Sequence, residues 1–474
     1  MSREIKSLKL YPFSPSEDTA IYQQDYCIHK NVCQIPSYIL TNPDIDFNIM
    51  KQAIRIEFER NDCLRIGCVK TKNAETGKKG WHQYFRPEVN DIDIPFMDFT
   101  GQTEEDMLAW IKADAALPVK ITKEEVVRFK LFRAPDGRAG IYMIISHVVA
   151  DMVGAFITYK DIFEVYKALK NDTPMPKPLY SYEEGLKKEL DKLHNEKLYA
   201  KNDSFYKNLF ESEQPSFFAG VDRMRQLNKA RQKKKKPDLR YINIFDPLHD
   251  KAEVIMKHIS GEDIIRYNDF CNENHITLQD LIYMGCRTYL SAVNERTDDV
   301  YWHGILHRRS TLAQKYQGGC YMHAFPFRSI IKEDQTFLDA LIGVDNMIMD
   351  LYRHSDHPTK RIFDICDANE KRPLGCNTAS GLFSVLAPGV ITPPEGFSWE
   401  VHGVNPGRFA MITYLTCIPS FVDDGLDAYF VYKTHLYTDE EAEALLDKTI
   451  EVIEKGIADP DITIGRLLDE LQGR

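Results

Sequence analysis

The sequence predicts an α/β fold divided between two lobes. Its 474 residues exceed the roughly 250 to 300 that one hydrophobic core usually serves. Strand-like and helical patterns alternate through the first part of the chain and resume after Asp238. The polar segment 171–177, NDTPMPK, contains two prolines and is the best linker candidate. We therefore predict an N-terminal lobe over residues 1–175 and a C-terminal lobe over residues 176–474.

The individual elements are predicted from the spacing of apolar residues. Val126 to Arg133 and Gly140 to Ile145 have the pattern of two strands around the turn Pro135-Asp136-Gly137. Helical spacing follows, so a strand is expected to run into a helix at Ser146 to Asp151. The predicted helices are Asp44 to Arg60, Asp151 to Leu169, Tyr182 to about Asn208, and Asp439 to Lys455.

Composition and charge exclude several classes of protein. The chain is 43% hydrophobic and 28% charged, with a formal net charge of -11, so it should fold and has no overall field that attracts nucleic acid or an anionic membrane. The one dense basic run, Arg223 to Lys236, is expected to be a solvated loop or frayed helix. The N-terminal residues lack the apolar stretch of a secretory signal, and no segment approaches the ~18 apolar residues of a membrane span. A soluble, cytoplasmic protein is predicted.

Common catalytic and metal-binding signatures are missing from the sequence. It contains no GxSxG, HExxH or Walker A motif and no GxGxxG after a strand. The ten cysteines include no CxxC pair, so reduced thiols and no metal site are expected. The remaining candidate is Ser146 to Asp151, where a His at the end of a buried strand can face a cleft and Asp151 can hold the loop.

Spacing alone leaves the role of this segment open. With 71 acidic residues and 14 histidines in the chain, about two His-x3-acid spacings are expected by chance. His147 could be a core histidine, and Asp151 could simply cap a helix, a role that Asp often fills. Context elsewhere in the sequence must decide between these roles and a catalytic one.

The segment SHVVADM resembles the HHxxxDG signature of the condensation domains of nonribosomal peptide synthetases and of related stand-alone acyltransferases. These proteins belong to the chloramphenicol acetyltransferase superfamily. His147 occupies the position of the second His, whereas Ser146 replaces the first His and Met152 replaces the Gly. Further segments resemble family motifs in the family's order: Tyr11 to Ser16, Arg60 to Arg65 (RHxxLR), Asp151 to Tyr166, Thr277 to Leu281, and Gly319 to Arg328 (GxFVNTLPLR). The plant-type DFGWG motif is absent from the sequence, which argues against that branch.

The resemblance implies a fold and an activity. Two chloramphenicol acetyltransferase-like lobes would form a V with a tunnel at their interface. His147 would act as general base while an amine or hydroxyl acceptor attacks an acyl thioester on coenzyme A or on a carrier protein's phosphopantetheine arm. Backbone N–H groups at the start of the following helix would meet the oxyanion. No tightly bound cofactor and a monomeric state are expected.

The resemblance also implies roles for residues around His147. Asp151 would form a buried ion pair with Arg60 of the RHxxLR-like segment and so hold the loop. Ser146, Met152 and His323 are candidate tunnel-wall residues, His323 because it occupies the Asn position of its motif. Two alternatives remain: a non-catalytic binding or docking protein, suggested by Ser146 and Met152, and peptide-bond condensation between carrier-bound substrates. Because no carrier or adenylation domain accompanies these residues, a stand-alone acyltransferase is expected.

Overall fold

The computed structural model shows a chain divided into two α/β units. It describes residues 8–72, 79–89, 92–211, 216–243, 246–370, 373, 376–386 and 392–474. The helices are α1 Pro15–Tyr26, α2 Phe47–Arg60, α3 Glu104–Ala115, α4 Met152–Asn171, α5 Tyr182–Lys192, α6 Glu196–Phe210, α7 Arg225–Lys234, α8 Gly261–Glu273, α9 Leu278–Val293, α10 Leu312–Lys315, α11 Phe337–Arg353, α12 Thr359–Glu370, α13 Asp439–Ala458 and α14 Ile464–Leu471. The strands are β1 Gln34–Thr41, β2 Ile66–Lys72, β3 Lys79–Phe85, β4 Phe96–Asp98, β5 Val127–Arg133, β6 Ala139–Ser146, β7 Ile242–Asn243, β8 Ala252–Ile259, β9 Asp299–Leu306, β10 His323–Ile330, β11 Cys376–Asn377, β12 Leu382–Val385, β13 Glu400–Gly403, β14 Thr413–Pro419 and β15 Leu426–Lys433.

The first unit is built on a five-stranded sheet with the order β13-β1-β6-β5-β4. Its two inner strands, β1 and β6, are buried along their whole length. The predicted strand pair is confirmed, since β5 and β6 pair antiparallel and join through Gly137, whose φ of +87° suits glycine. Helices α2 and α4 start close to their predicted positions because Asp46 and Asp151 accept hydrogen bonds from the first-turn N–H groups.

The second unit is built on a six-stranded sheet with the order β10-β9-β12-β14-β15-β8. Helix α9 is buried on nearly all sides, and its Tyr283 stacks edge-on against Phe327 and Phe383 of the sheet. The predicted C-terminal helix is confirmed as α13, capped by Thr438. None of the helices in the described part of the chain is long and apolar enough to cross a membrane.

The two units do not coincide with the ranges predicted from the linker-like segment. The first unit comprises Met1–Glu196, His307–Met322 and Gly389–Pro406, and the second comprises the remaining segments. The chain passes residue 175 without leaving the first unit, because Asp62 accepts hydrogen bonds from the backbone of Tyr182 and Glu183 at the start of α5. Two later segments return to the first unit, and one of them supplies β13, which pairs with β1.

Two other local predictions differ from the structure in detail. The charged helix expected from Tyr182 to about Asn208 is two helices, α5 and α6, separated by a turn in which His194 and Asn195 donate to Asp191 and Lys192. The basic run forms α7, which ends at Lys235 with φ +51°. All ten cysteines are free thiols, as expected.

Candidate functional site

A buried strand, a tight turn and a capped helix place His147. Strand β6 ends at Ser146, whose N–H donates to Val126, and the N–H of His147 donates to the carbonyl of Cys33 at 2.8 Å. Ser146 then closes the turn, because its carbonyl accepts from Val149 and Ala150 and its Oγ accepts from Val148 at 3.3 Å. The backbone on both sides of His147 is therefore fixed.

His147 is the only partly exposed residue in the stretch from Ser146 to Asp151; its neighbours are buried. Its Nδ1 is buried and makes no hydrogen bond of normal geometry within the described residues. Burial lowers the pKa of His147, while the nearby carbonyls of His147 and Ala150 and the charge of Asp151 oppose the shift. The imidazole is therefore neutral near pH 7, as a general base requires.

Asp151 is buried and uses both carboxylate oxygens. Oδ1 accepts from the N–H of Gly154 at 2.7 Å and from Nη2 of Arg309 at 2.9 Å. Oδ2 accepts from the N–H of Tyr321 at 2.8 Å. The side chains of Asp151 and Arg309 are only 4% and 2% exposed. Asp151 thus caps α4 and also anchors a distant segment of the chain.

Arg309 organises that segment, residues 309–321. Its Nη1 donates to the carbonyls of Gln314 and Gln317, both at 2.6 Å, and its Nη2 donates to Gly319 at 2.9 Å. The N–H of Asp151 donates to the same Gly319 carbonyl. Gly319 has φ +90°, and a Cβ there would collide with the ring of Tyr182, so glycine is required. The Asp151–Arg309 pair therefore joins the start of α4 to segment 309–321.

The predicted ion pair between Asp151 and Arg60 is wrong. Arg60 binds Asp161 instead, with Nε–Oδ2 at 2.5 Å and Nη2–Oδ1 at 2.9 Å. The reason is helical geometry: Arg60 ends α2, which packs along α4, and Asp161 lies in the middle of α4, whereas Asp151 caps its end. The sequence analysis missed Arg309, although two adjacent arginines directly after a buried strand were a usable signal.

The candidate tunnel-wall residues lie in different environments. Ser146 is fully buried, so its side chain does not border open space and it stabilises the turn instead. Met152 is 39% exposed and is the first residue of α4, with a φ that is not positive, so its bulk does not strain the turn. His323 begins β10 in the second unit and is buried, 5.7 Å from the ring of Phe325. Its burial favours a core role.

The start of α4 retains two free donors close in sequence to His147. Gly154 and Ala155 donate to Asp151, through its side chain and its carbonyl. The N–H groups of Met152 and Val153 have no acceptor among the described residues. Such unsatisfied N–H groups at a helix N-terminus bind negative charge.

The long basic run is partly structural. Arg225 pairs with Glu441, and Arg231 stacks on Phe217. Lys233 to Lys236 are exposed. That these lysines bind the nucleotide of coenzyme A stays a prediction.

Comparison with known proteins identifies the family. The Condensation domain family model matches residues 9–375. The chain is 20% identical over 467 residues to surfactin synthase subunit 1 of Bacillus subtilis (strain 168), covering 97% of this chain and 12% of that protein. It is 22% identical over 454 residues to bacitracin synthase 3 of Bacillus licheniformis, covering 91% of this chain and 6% of that protein. The chain thus spans a small fraction of the length of these relatives.

Solved condensation domains share the fold. The starter condensation domain of rhizomide synthetase, in complex with C8-CoA, superposes with a TM-score of 0.79 at 16% identity, covering 98% of each chain. VibH, described as a condensation enzyme, superposes with a TM-score of 0.71 at 14% identity, covering 96% of this chain and 98% of VibH. The two-lobed α/β fold predicted from the motifs is confirmed. Because the family model matches well over half of its length, the chain belongs to the condensation-domain family, a family of acyltransferases.

Proposed function

We propose that the chain transfers an acyl group from a thioester to an amine or hydroxyl acceptor, with His147 as general base. The observation that carries this proposal is the strand-turn-helix around His147. It leaves one neutral, partly exposed imidazole in a buried stretch whose backbone is fixed on both sides. A general base needs this combination of access, correct protonation state and rigid placement.

The proposed reaction uses the groups of the first unit. His147 removes the proton of the acceptor N–H or O–H as the acceptor attacks the thioester carbonyl. The free N–H groups of Met152 and Val153 stabilise the oxyanion of the tetrahedral intermediate. When the carbon–sulfur bond breaks, the protonated His147 returns its proton to the leaving thiolate. The Asp151–Arg309 pair takes no part in proton transfer and holds the turn in place.

Coenzyme A and a carrier-bound phosphopantetheine are both retained as the thioester carrier. The rhizomide synthetase starter domain was solved with C8-CoA, which supports the first. The similar synthases are many times longer than this chain, so peptide-bond condensation between carrier-bound substrates stays the alternative. The site gives no support to a non-catalytic docking role, because Ser146 stabilises the turn and Met152 fits the first turn of α4.

Thiol release tests the proposed activity directly. Acyl-coenzyme A and acyl-phosphopantetheine thioesters are offered with a panel of amines and alcohols, and the free thiol is measured against a reaction without acceptor. Acceptor-dependent release is expected from at least one thioester class. The absence of release over a broad panel would favour a binding or docking protein.

The pH dependence of the rate should report the neutral His147. Because burial lowers the pKa of His147, the base is already deprotonated at pH 7, and the rate should be flat above about pH 6.5, the ordinary histidine value. Below the lowered pKa, His147 binds a proton and the rate should fall tenfold for each pH unit. A profile of the second-order rate constant between pH 5 and 8 measures this. A rate that still rises steeply above pH 7 would contradict a neutral base.

The chain is predicted to be a monomer, because two fused lobes already form the site that single-lobe relatives would form between subunits. Light scattering at tens of micromolar should give the mass of one chain. An obligate dimer or trimer would contradict this expectation. Location in the cytoplasm and the absence of a nucleic-acid partner stay predictions from charge and sequence.

A further inference from the structure

A cavity in the first unit brings several arginines together. It has a volume of about 390 Å³ and is bordered by Arg60, Arg65 and Arg86, with Glu59, Asp62 and Glu183 also on its wall. None of these residues belongs to the His147 turn or to segment 309–321. The cavity therefore needs an explanation separate from the proposed acyl-transfer site.

Arg65 and Arg86 face each other across a β-hairpin. The ladder between β2 and β3 starts with the pair Ile66 and Phe85, so the next residue on each strand is Arg65 and Arg86. Their backbones and side chains interlock, because Arg65 Nε donates to the Arg86 carbonyl at 3.0 Å and Arg86 Nε donates to the Arg65 carbonyl at 3.2 Å. Like charges directly opposite each other destabilise a strand pair.

The two guanidinium groups are poorly neutralised. Arg65 forms no ion pair with the described residues; its Nη1 donates to the carbonyls of Phe58 and Glu59. The nearest carboxylate oxygen to Arg86 belongs to Glu124, at 3.6 Å, and the other oxygen of Glu124 accepts from Tyr84 at 2.5 Å. Burial lowers the pKa of Arg86, and the neighbouring charge of Arg65 acts in the same direction.

Most other charges on the cavity wall are already engaged. Arg60 is paired with Asp161. The carboxylate of Asp62 accepts hydrogen bonds from the start of α5, and Glu183 binds Tyr11 and Lys187. Glu59 is exposed and makes no ion pair within the described residues. The unpaired charges on the wall are thus two guanidinium groups and one exposed carboxylate.

We propose that Arg65 and Arg86 bind a phosphate monoester in this cavity. A dianionic phosphate would relieve the repulsion between the two opposed cations, and guanidinium groups bind phosphate oxygens in pairs of hydrogen bonds. The carbonyl contacts hold both side chains in position before a ligand arrives, which lowers the cost of ordering them. The site goes beyond the proposed acyl transfer and does not depend on it. The phosphate could be free phosphate or the 3′-phosphate of coenzyme A.

Calorimetric titration of the full chain at constant ionic strength tests the site. Inorganic phosphate, coenzyme A and dephospho-coenzyme A, which lacks the 3′-phosphate, are the three probes. Saturable binding of at least one of the first two is expected, weakened about tenfold or more in Arg65→Gln and Arg86→Gln, since each removes charge-assisted hydrogen bonds. Arg55→Gln is the matched control, because Arg55 is an exposed arginine of α2 outside the cavity wall, and it should leave binding unchanged.

A third variant keeps the test valid if an arginine variant fails to fold. Glu59→Gln removes the exposed carboxylate and should tighten phosphate binding severalfold at low salt. Arginine-dependent binding of coenzyme A but not of dephospho-coenzyme A identifies the 3′-phosphate as the ligand. Arginine-dependent binding of inorganic phosphate without that discrimination identifies free phosphate. No saturable binding of any probe, or equal binding by wild type, Arg86→Gln and Glu59→Gln, would overturn the proposal.

Discussion

Replacing His147 with alanine is expected to lower the rate of acyl transfer by about 10² to 10⁴, the usual effect of losing a general base. The variant loses the imidazole that accepts the acceptor's proton, while the turn keeps the backbone hydrogen bonds made by Ser146 and Cys33. The fold should therefore survive. The measurement is acceptor-dependent thiol release with the best substrate pair, together with circular dichroism and the unfolding midpoint of each protein.

A second histidine variant separates loss of the base from a general effect of mutation. His194 is exposed in the turn after α5, so His194→Ala should keep the wild-type rate. The pH dependence below about pH 6.5 should also disappear in His147→Ala, because the titrating group has been removed. A folded His147→Ala protein with full activity would show that another group is the base.

Breaking the buried pair between Asp151 and Arg309 is expected to destabilise the chain by about 3 to 5 kcal/mol, because the partner left behind is charged and desolvated. Asp151→Ala also removes the cap of α4, a further cost of about 0.5 to 2 kcal/mol. The double variant should lose much less than the sum of the two single variants, since the second change relieves the stranded charge. Urea unfolding of the four proteins measures this coupling.

Arg60 and Asp161 supply the matched control for this cycle. They form their own ion pair, so Arg60→Ala and Asp161→Ala should couple to each other. Arg60→Ala and Asp151→Ala share no contact in the structure, so their effects on the free energy of unfolding should add. Coupling between Arg60 and Asp151, or additive losses for Asp151 and Arg309, would show that the pairing described above is wrong.

Activity should distinguish the two ion pairs as well. Asp151 and Arg309 fix the end of the His147 turn, so their variants should lose activity even in the folded fraction. Arg309→Lys keeps the charge but cannot reproduce the planar set of four hydrogen bonds, so it should rescue only part of the loss. The Arg60 and Asp161 variants should keep the rate per folded molecule, because that pair contacts neither the turn nor segment 309–321.

The identity of the base and its local setting could be predicted from the sequence because they depend on neighbouring residues. A run of apolar residues from Gly140 to Ile145 indicates a buried strand, Asp151 before a helical period indicates a cap, and His147 lies between them. The order of the motifs along the chain identified the family. The matched control is Ser146, whose burial could not be predicted, because the same residue could face a tunnel or close a turn.

The partner of Asp151 and the limits of the two units depended instead on contacts between residues far apart in the chain. Arg309 lies 158 residues after Asp151, and Arg60 is drawn to Asp161 by the packing of α2 along α4. The return of β13 to the first sheet likewise joins residues more than 350 positions apart, as in the hydrogen bond between Ser398 and Asn42. Local periodicity describes which face of an element is apolar, but it carries no information about which distant segment packs against that face.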